Sequence, residues 1–224
     1  MADRAQELIS HLLTHPDTSE SDGTANELLK QYQRGSPIES LRALLFSSDD
    51  RIAGEAAWIA SELPEGRSLL HDIGALLGHR SRKVRFWAID CVHLWAGPSN
   101  GLELAAAAAL VDDPDKAVRW KAMGFWAMAS REQLAAALSN LRATDPESQY
   151  IDELTWLLGQ KGTDSGEIIA ALNGSDDRRR KIAAAAAYRL AAANNNLAPL
   201  RYATSLEDPD AVQFARDMLK RLSI

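Results

Sequence analysis

Hydrophobic and polar positions alternate along this chain with a helical period almost throughout. Two stretches read as copies of one unit: "VRFWAIDCVHLWAG" from Val84, and "VRWKAMGFWAMAS" from Val118, 34 residues later. In each, apolar residues recur every three or four positions, the pattern of an amphipathic helix with one buried face. One register extends this phase over positions 52, 84, 118, 150, 179 and 211, with spacings of 32, 34, 32, 29 and 32 residues. Four residues after each stand Ala56, Ala88, Ala122, Leu154, Ala183 and Ala215. Small residues at a fixed offset are what closely approaching helices require. The turns before these helices also match: "SSDDR" at 47–51, "DDPDK" at 112–116, "TDPES" at 144–148, "GSDDR" at 174–178 and "EDPDA" at 207–211. Aspartate and proline there stop one helix and cap the next.

Upstream, residues 2–14 and 24–34 have the pattern of two short helices, joined by the polar loop "HPDTSESDG". Ser36 is placed as an N-cap and Pro37 as the first helical residue where the repeats begin. The predicted domains are therefore a helical cap, residues 1–35, and one continuous array of about six helical hairpins, residues 36–224. A period near 32 residues implies stacking, because one hairpin cannot bury its apolar face alone.

"DPDKAVRWKA" at 113–122 resembles the signature of short HEAT-like repeats: an Asp-Pro turn, Val-Arg, then alanine three residues on. "RSRKVRFWA" at 80–88 keeps Val-Arg and the alanine without Asp-Pro; the unit at 140–161 keeps the turn and loses Val-Arg. The resemblance implies an all-α, right-handed α-solenoid. It says little about function, since arrays of this kind serve as scaffolds, as inhibitors and, in a few families, as enzymes.

On a helical wheel, positions two and six residues after each register point lie roughly opposite the core face. They place Trp58, Phe86, Trp120, Trp156 and, one turn on, Tyr188 in an aromatic row, with Asp90, His93, Asp152 and Lys181 beside it. Aromatic rings of this type are common binding anchors. A register slip of one residue would make the same rings inter-repeat core, and both readings stand at this stage; Trp87, Trp95 and Trp126 are expected in the core. Arg51, Arg82, Lys83, Arg85, Lys116, Arg119 and the run Arg178–Lys181 crowd the first turns of these helices, where cations oppose the helix dipole. Phosphate binding would account for them. An Asp–Arg ladder between turns, such as Asp113 or Asp115 to Arg119, does so more simply, and Asp145, Glu147, Asp152 and Glu153 interrupt the basic line.

Charge and composition narrow the classes. Twenty-five basic against 31 acidic residues give a net charge of −6, which disfavours nucleic acid and favours a basic protein partner. Cys91 is the only cysteine, expected as a small buried hydrophobe, so no disulfide or Cys-based metal cage forms within the chain. His11 and His15 share a helix face but lack a third ligand; no metal or other cofactor is expected. No apolar run approaches membrane-spanning length and no secretory signal is visible, so the expected location is the cytoplasm.

A small acidic HEAT-like protein resembles immunity proteins that neutralise basic bacterial toxins. The expected function is therefore noncatalytic protein binding in a concave groove, by a chain that is monomeric apart from its partner. Two alternatives remain. A HEAT-like DNA-alkylation glycosylase would use Asp90 to stabilise a cationic sugar in an aromatic groove, although a solvated or salt-bridged aspartate is the simpler reading. A general interaction scaffold needs neither feature.

Overall fold

A computed structural model describes residues 4–16 and 23–222. These residues form an α-solenoid of helical hairpins, with no strand among them. The chain divides into two compact units, up to Ala96 and from Gly97.

In the first unit, α1 (Arg4–Thr14) and α2 (Thr24–Gln33) pair with each other, and pack on α3 (Arg42–Leu45) and α4 (Asp50–Ser61). The loop between α1 and α2 falls largely outside the described residues. The first repeat opens one residue later than expected. Pro37, not Ser36, is the capping residue, with φ −61° and ψ 118°, and a 3-10 turn over Ile38–Leu41 precedes α3. Proline's fixed φ suits an extended cap as well as a first helical residue. The hairpins α3/α4 and α5 (Leu70–Leu76)/α6 (Arg82–Trp95) then stack, with α4 lying along α6.

The second unit contains α7 (Gly101–Ala109), α8 (Lys116–Met128), α9 (Arg131–Thr144) and α10 (Tyr150–Leu158). It continues with α11 (Ser165–Leu172), α12 (Asp177–Asn194), α13 (Ala198–Ala203) and α14 (Pro209–Arg221). Among first helices, α7 packs against α9 and α11 against α13, while α8 packs along α12 and also reaches α14. α12 is consequently the central element, and every residue from Lys181 to Ala187 is buried.

Local sequence explains where these helices begin. Asp49, Asp115, Asp176 and Asp208 each accept backbone N–H bonds from the first turn of α4, α8, α12 and α14. Three residues after each of these caps come Ile52, Val118, Arg179 and Ala211; all but Arg179 are buried. The offset alanines Ala56, Ala88, Ala122, Ala183 and Ala215 are all fully buried, as is Leu154. The fourth repeat departs: Asp145 ends α9, but α10 restarts only at Tyr150, behind Gln149, whose side chain makes no capping bond. Tyr150 therefore sits at the very start of its helix and is only half-buried.

The arginine of Val-Arg has a recurring local task. Arg85 Nη1 donates to the carbonyls of His79 and Arg80, at 2.8 and 3.0 Å, and Arg119 Nη1 to those of Asp113 and Pro114, at 2.9 and 3.0 Å. Arg180 Nη1 donates likewise to the Gly174 carbonyl at 2.6 Å. Each guanidinium folds back over its own turn and satisfies carbonyls that the preceding helix leaves open. Trp95 and Trp126, both core as expected, donate Nε1–H to the carbonyls of Leu63 and Ala108, each at 2.9 Å.

The cap at Asp49 gives a pH test. Bonds from the Arg51 side chain and backbone N–H hold its carboxyl down at about 2, from an ordinary 3.8. A depressed carboxyl adds stability that is present above the unfolded value and lost as pH falls through the folded one. Asp49→Ala is expected to cost about 1 kcal/mol near neutrality. Urea denaturation should show that difference shrinking as pH falls from about 4 to about 2. A gap that persists at the acid end would mean the carboxylate is not the source of the stabilisation.

Candidate functional site

The basic run at the start of α12 is an internal hub. Arg178 meets Asp112 and lies over the Tyr150 ring, 5.3 Å from its centroid. Arg179 approaches Glu153 at 2.5 Å and stacks over Trp156 at 5.0 Å. Arg180 pairs with Asp208 at 3.1 Å. Lys181 Nζ reaches Asp177 at 2.7 Å and Asp112 at 3.7 Å. Four successive cations thus tie α12 to the turn before α8, to α10 and to the turn before α14. The bond to Asp208 raises the Arg180 pKa. Burial pushes the Glu153 carboxyl up, with Arg179 opposing it. Glu153, which in sequence interrupts the basic line, is the buried counter-ion of that line.

The same holds at the other helix starts. Arg51 pairs with Asp49, Arg80 with Asp50 and Lys83 with Glu55. Arg119 meets Asp210 at 2.6 Å, a residue 91 positions away, rather than the carboxylate of Asp113 or Asp115. Arg51 to Asp49 thus closes its own turn, Arg80 to Asp50 joins neighbouring turns, and Arg119 departs from the expected partner by reaching α14.

Lys181 leaves the proposed binding set. It is 4% exposed because α12 is enclosed on nearly all sides, so a position that the wheel puts opposite the core is itself interior. Trp120 is half-buried: its ring meets Phe214 of α14 edge-on at 6.4 Å, and its buried Nε1 finds no hydrogen-bond acceptor among the described residues. Tyr188 is half-buried on α12.

The remaining residues fall into two local groups. In the first unit, Phe86, Asp90 and His93 form a half-buried stripe on α6, and Trp58 is half-buried on α4. Phe86 meets Trp87 edge-on at 4.9 Å; Trp87, expected in the core, is half-buried with it. In the second unit, Asp152 and Trp156, one turn apart on α10, line a depression of about 420 Å³ with Thr155, Gln160, Lys161 and Arg179. Asp152 is exposed and Trp156 half-buried. No cluster of three or more potential metal ligands occurs among the described residues. No described helix is long and apolar enough to cross a membrane.

No protein-family model matches the chain. No curated protein matches it either. Among solved structures, one engineered protein is similar at 17% identity, covering 99% of this chain and 97% of its own, with a TM-score of 0.47. A second engineered protein is similar at 19% identity, with 98% of each chain covered and a TM-score of 0.48. A designed armadillo repeat protein in complex with the peptide (KR)4 is similar at 16% identity, covering 97% of this chain and 99% of its own, with a TM-score of 0.43. Likeness at this level has no bearing on function.

Proposed function

We propose that the chain is a noncatalytic protein-binding module whose partner is basic. The carrying observation is the pairing of an exposed carboxylate, Asp152, with the Trp156 ring at one depression. Arg179, the cation nearest that ring, already faces Glu153, and Lys161, also lining the depression, lies 3.9 Å from Glu167, so both cations there have a carboxylate of their own and Asp152 adds negative charge. Phe86 and Asp90 repeat the aromatic–acid spacing on α6. The net charge of −6 favours encounter with a basic surface. In its sharper form the partner is a basic toxin domain and the chain its inhibitor, a reading supported by that charge and by the resemblance alone. The glycosylase alternative needs a basic groove, whereas Arg51, Arg80, Lys83, Arg119, Arg178 and Arg180 are engaged by carboxylates.

The test is calorimetric titration of the whole chain against an array of Lys/Arg-rich peptides that carry apolar residues. Trp156→Ala is expected to weaken the best binder by about thirtyfold, the usual loss for a truncated aromatic anchor. Asp152→Lys should mainly slow association and flatten its dependence on salt. Unchanged affinity in both variants, with native melting temperatures, would remove the α10 depression from the proposal. Base release from alkylated DNA that disappears in Asp90→Asn would replace the proposal with the enzymatic reading.

A further inference from the structure

A larger cleft of about 640 Å³ lies in the second unit, between the end of α8, the start of α9, the end of α10 and the last turns of α12. Its apolar lining includes Met128, Leu157, Leu158 and Leu190. Arg131 and Arg189 line the same cleft and bring two guanidinium groups to it.

Arg189 is the exception among the inward arginines of this unit. Arg119, Arg178, Arg179 and Arg180 each face a carboxylate. Arg189 faces none among the described residues. Its Nη1 donates to three carbonyls at the end of α8, those of Trp126 and Ala127 at 3.3 Å and of Ala129 at 2.7 Å. A helix C-terminus offers roughly half a negative charge, so this cap compensates the guanidinium only in part. Its Nε and Nη2 make no bond to the described chain. Arg131, exposed, is held by one bond from Nη2 to the Leu158 carbonyl at 2.7 Å and likewise faces no carboxylate. Burial, and then the neighbouring charge of Arg131, lower the Arg189 pKa. Two cations therefore share one cleft in a chain whose net charge is −6. A purely structural cap for α8 requires Arg189. It requires neither Arg131 beside it nor a leucine-lined space in front.

We propose that this cleft binds an aliphatic carboxylate, its anionic end between Arg131 and Arg189 and its apolar body against Leu157, Leu158 and Leu190. The volume lies within the range of small-molecule sites, which are mostly apolar with a few convergent polar groups. A carboxylate accepts from guanidinium donors in a planar, often bidentate arrangement, which the free Nε and Nη2 of Arg189 offer. The same chemistry is carried by a free fatty acid and by the C-terminus of a peptide ending in leucine. The site is separate from the Asp152 depression and independent of the function proposed above.

The experiment titrates the full chain with four probes: sodium octanoate, octan-1-ol, an acetylated tripeptide ending in leucine with a free carboxylate, and its C-terminal amide. At least one acid is expected to bind with single-site stoichiometry and raise the melting temperature, while the alcohol and the amide do neither. The tighter of the two acids identifies the source. Arg131→Glu, which places a carboxylate in the cleft from an exposed position, should weaken the acid about tenfold or more without changing the unliganded melting temperature. Arg189→Lys keeps the charge but loses the fork, and should weaken it too. The proposal is overturned if octanol binds as well as octanoate, if Arg131→Glu leaves the affinity unchanged, or if neither acid binds up to about 10 mM.

Discussion

Gly66→Ala is expected to be among the most damaging single substitutions in the first unit, through steric crowding. Gly66 has φ −152° and ψ 19°, outside the left-handed region that favours glycine, so the space around it is the main determinant of the outcome. A Cβ built there would lie 2.1, 2.3 and 2.4 Å from Cζ2, Cη2 and Cε2 of Trp95. That ring has nowhere to go, being 1% exposed and tethered through Nε1 to the Leu63 carbonyl. Overpacking usually costs about 1–3 kcal/mol, and a rigid ring against a rigid turn belongs at or above the upper end. Gly78→Ala is the control: its Cβ would meet nothing within 4 Å, so a shift within about 0.5 kcal/mol is expected. Urea denaturation of the two variants decides the matter. Equal midpoints would mean that Trp95 is not packed against the 64–66 turn.

Asp112→Ala should have a comparable effect in the second unit, through charge rather than volume. This carboxylate accepts from Arg178 and from the Tyr150 hydroxyl, and also faces Lys181 at 3.7 Å. Removing it leaves Arg178 without a carboxylate and a nearly enclosed lysine with one fewer. The pair is partly enclosed, its side chains 22% and 26% exposed, so breaking it is expected to cost about 1.5–3 kcal/mol, the range for hydrogen bonds to charged groups. The exposed pair of Arg80 and Asp50 supplies the contrast, since Asp50→Ala should cost about 1 kcal/mol or less. A double-mutant cycle of Asp112→Ala with Arg178→Ala should show strong coupling that persists in high salt, because enclosed pairs are poorly screened. Additive losses would dissolve the hub into independent contacts.

The helices and their inward faces were legible because both are local properties. Aspartate at 49, 115, 176 and 208 marks four helix starts, and the small residue seven positions on marks the close approach in each. Which helix meets which face was not legible. Periodicity identifies a buried face without naming its neighbour, so nothing in the sequence pairs Arg119 with Asp210 or sets Trp120 against Phe214. Lys181 was misplaced for a related reason. The wheel assigns a lysine to water, yet the five alanines at 183–187 carry the signal of a helix enclosed on all sides. The same run holds the clue to Arg189, a lone cation in an apolar stretch whose charge must be met by something outside its own helix. In the fourth repeat the Asp-Pro turn promised a cap that the structure does not make. Residues 146–149 intervene, and the first turn of α10 presents Asp152 to solvent instead.

The sole cysteine gives the molecule a built-in clock. Cys91 lies beneath α4, fully buried, its Sγ 3.9 Å from the Ala57 carbonyl. Burial, reinforced by the charge of Asp90, pushes its thiol well above the ordinary range. A thiol reagent can therefore reach it only when α4 and α6 part, and the thiolate it needs forms only in that opened state. The rate at which the chain takes up such a reagent accordingly reports how often α4 and α6 part within the first unit.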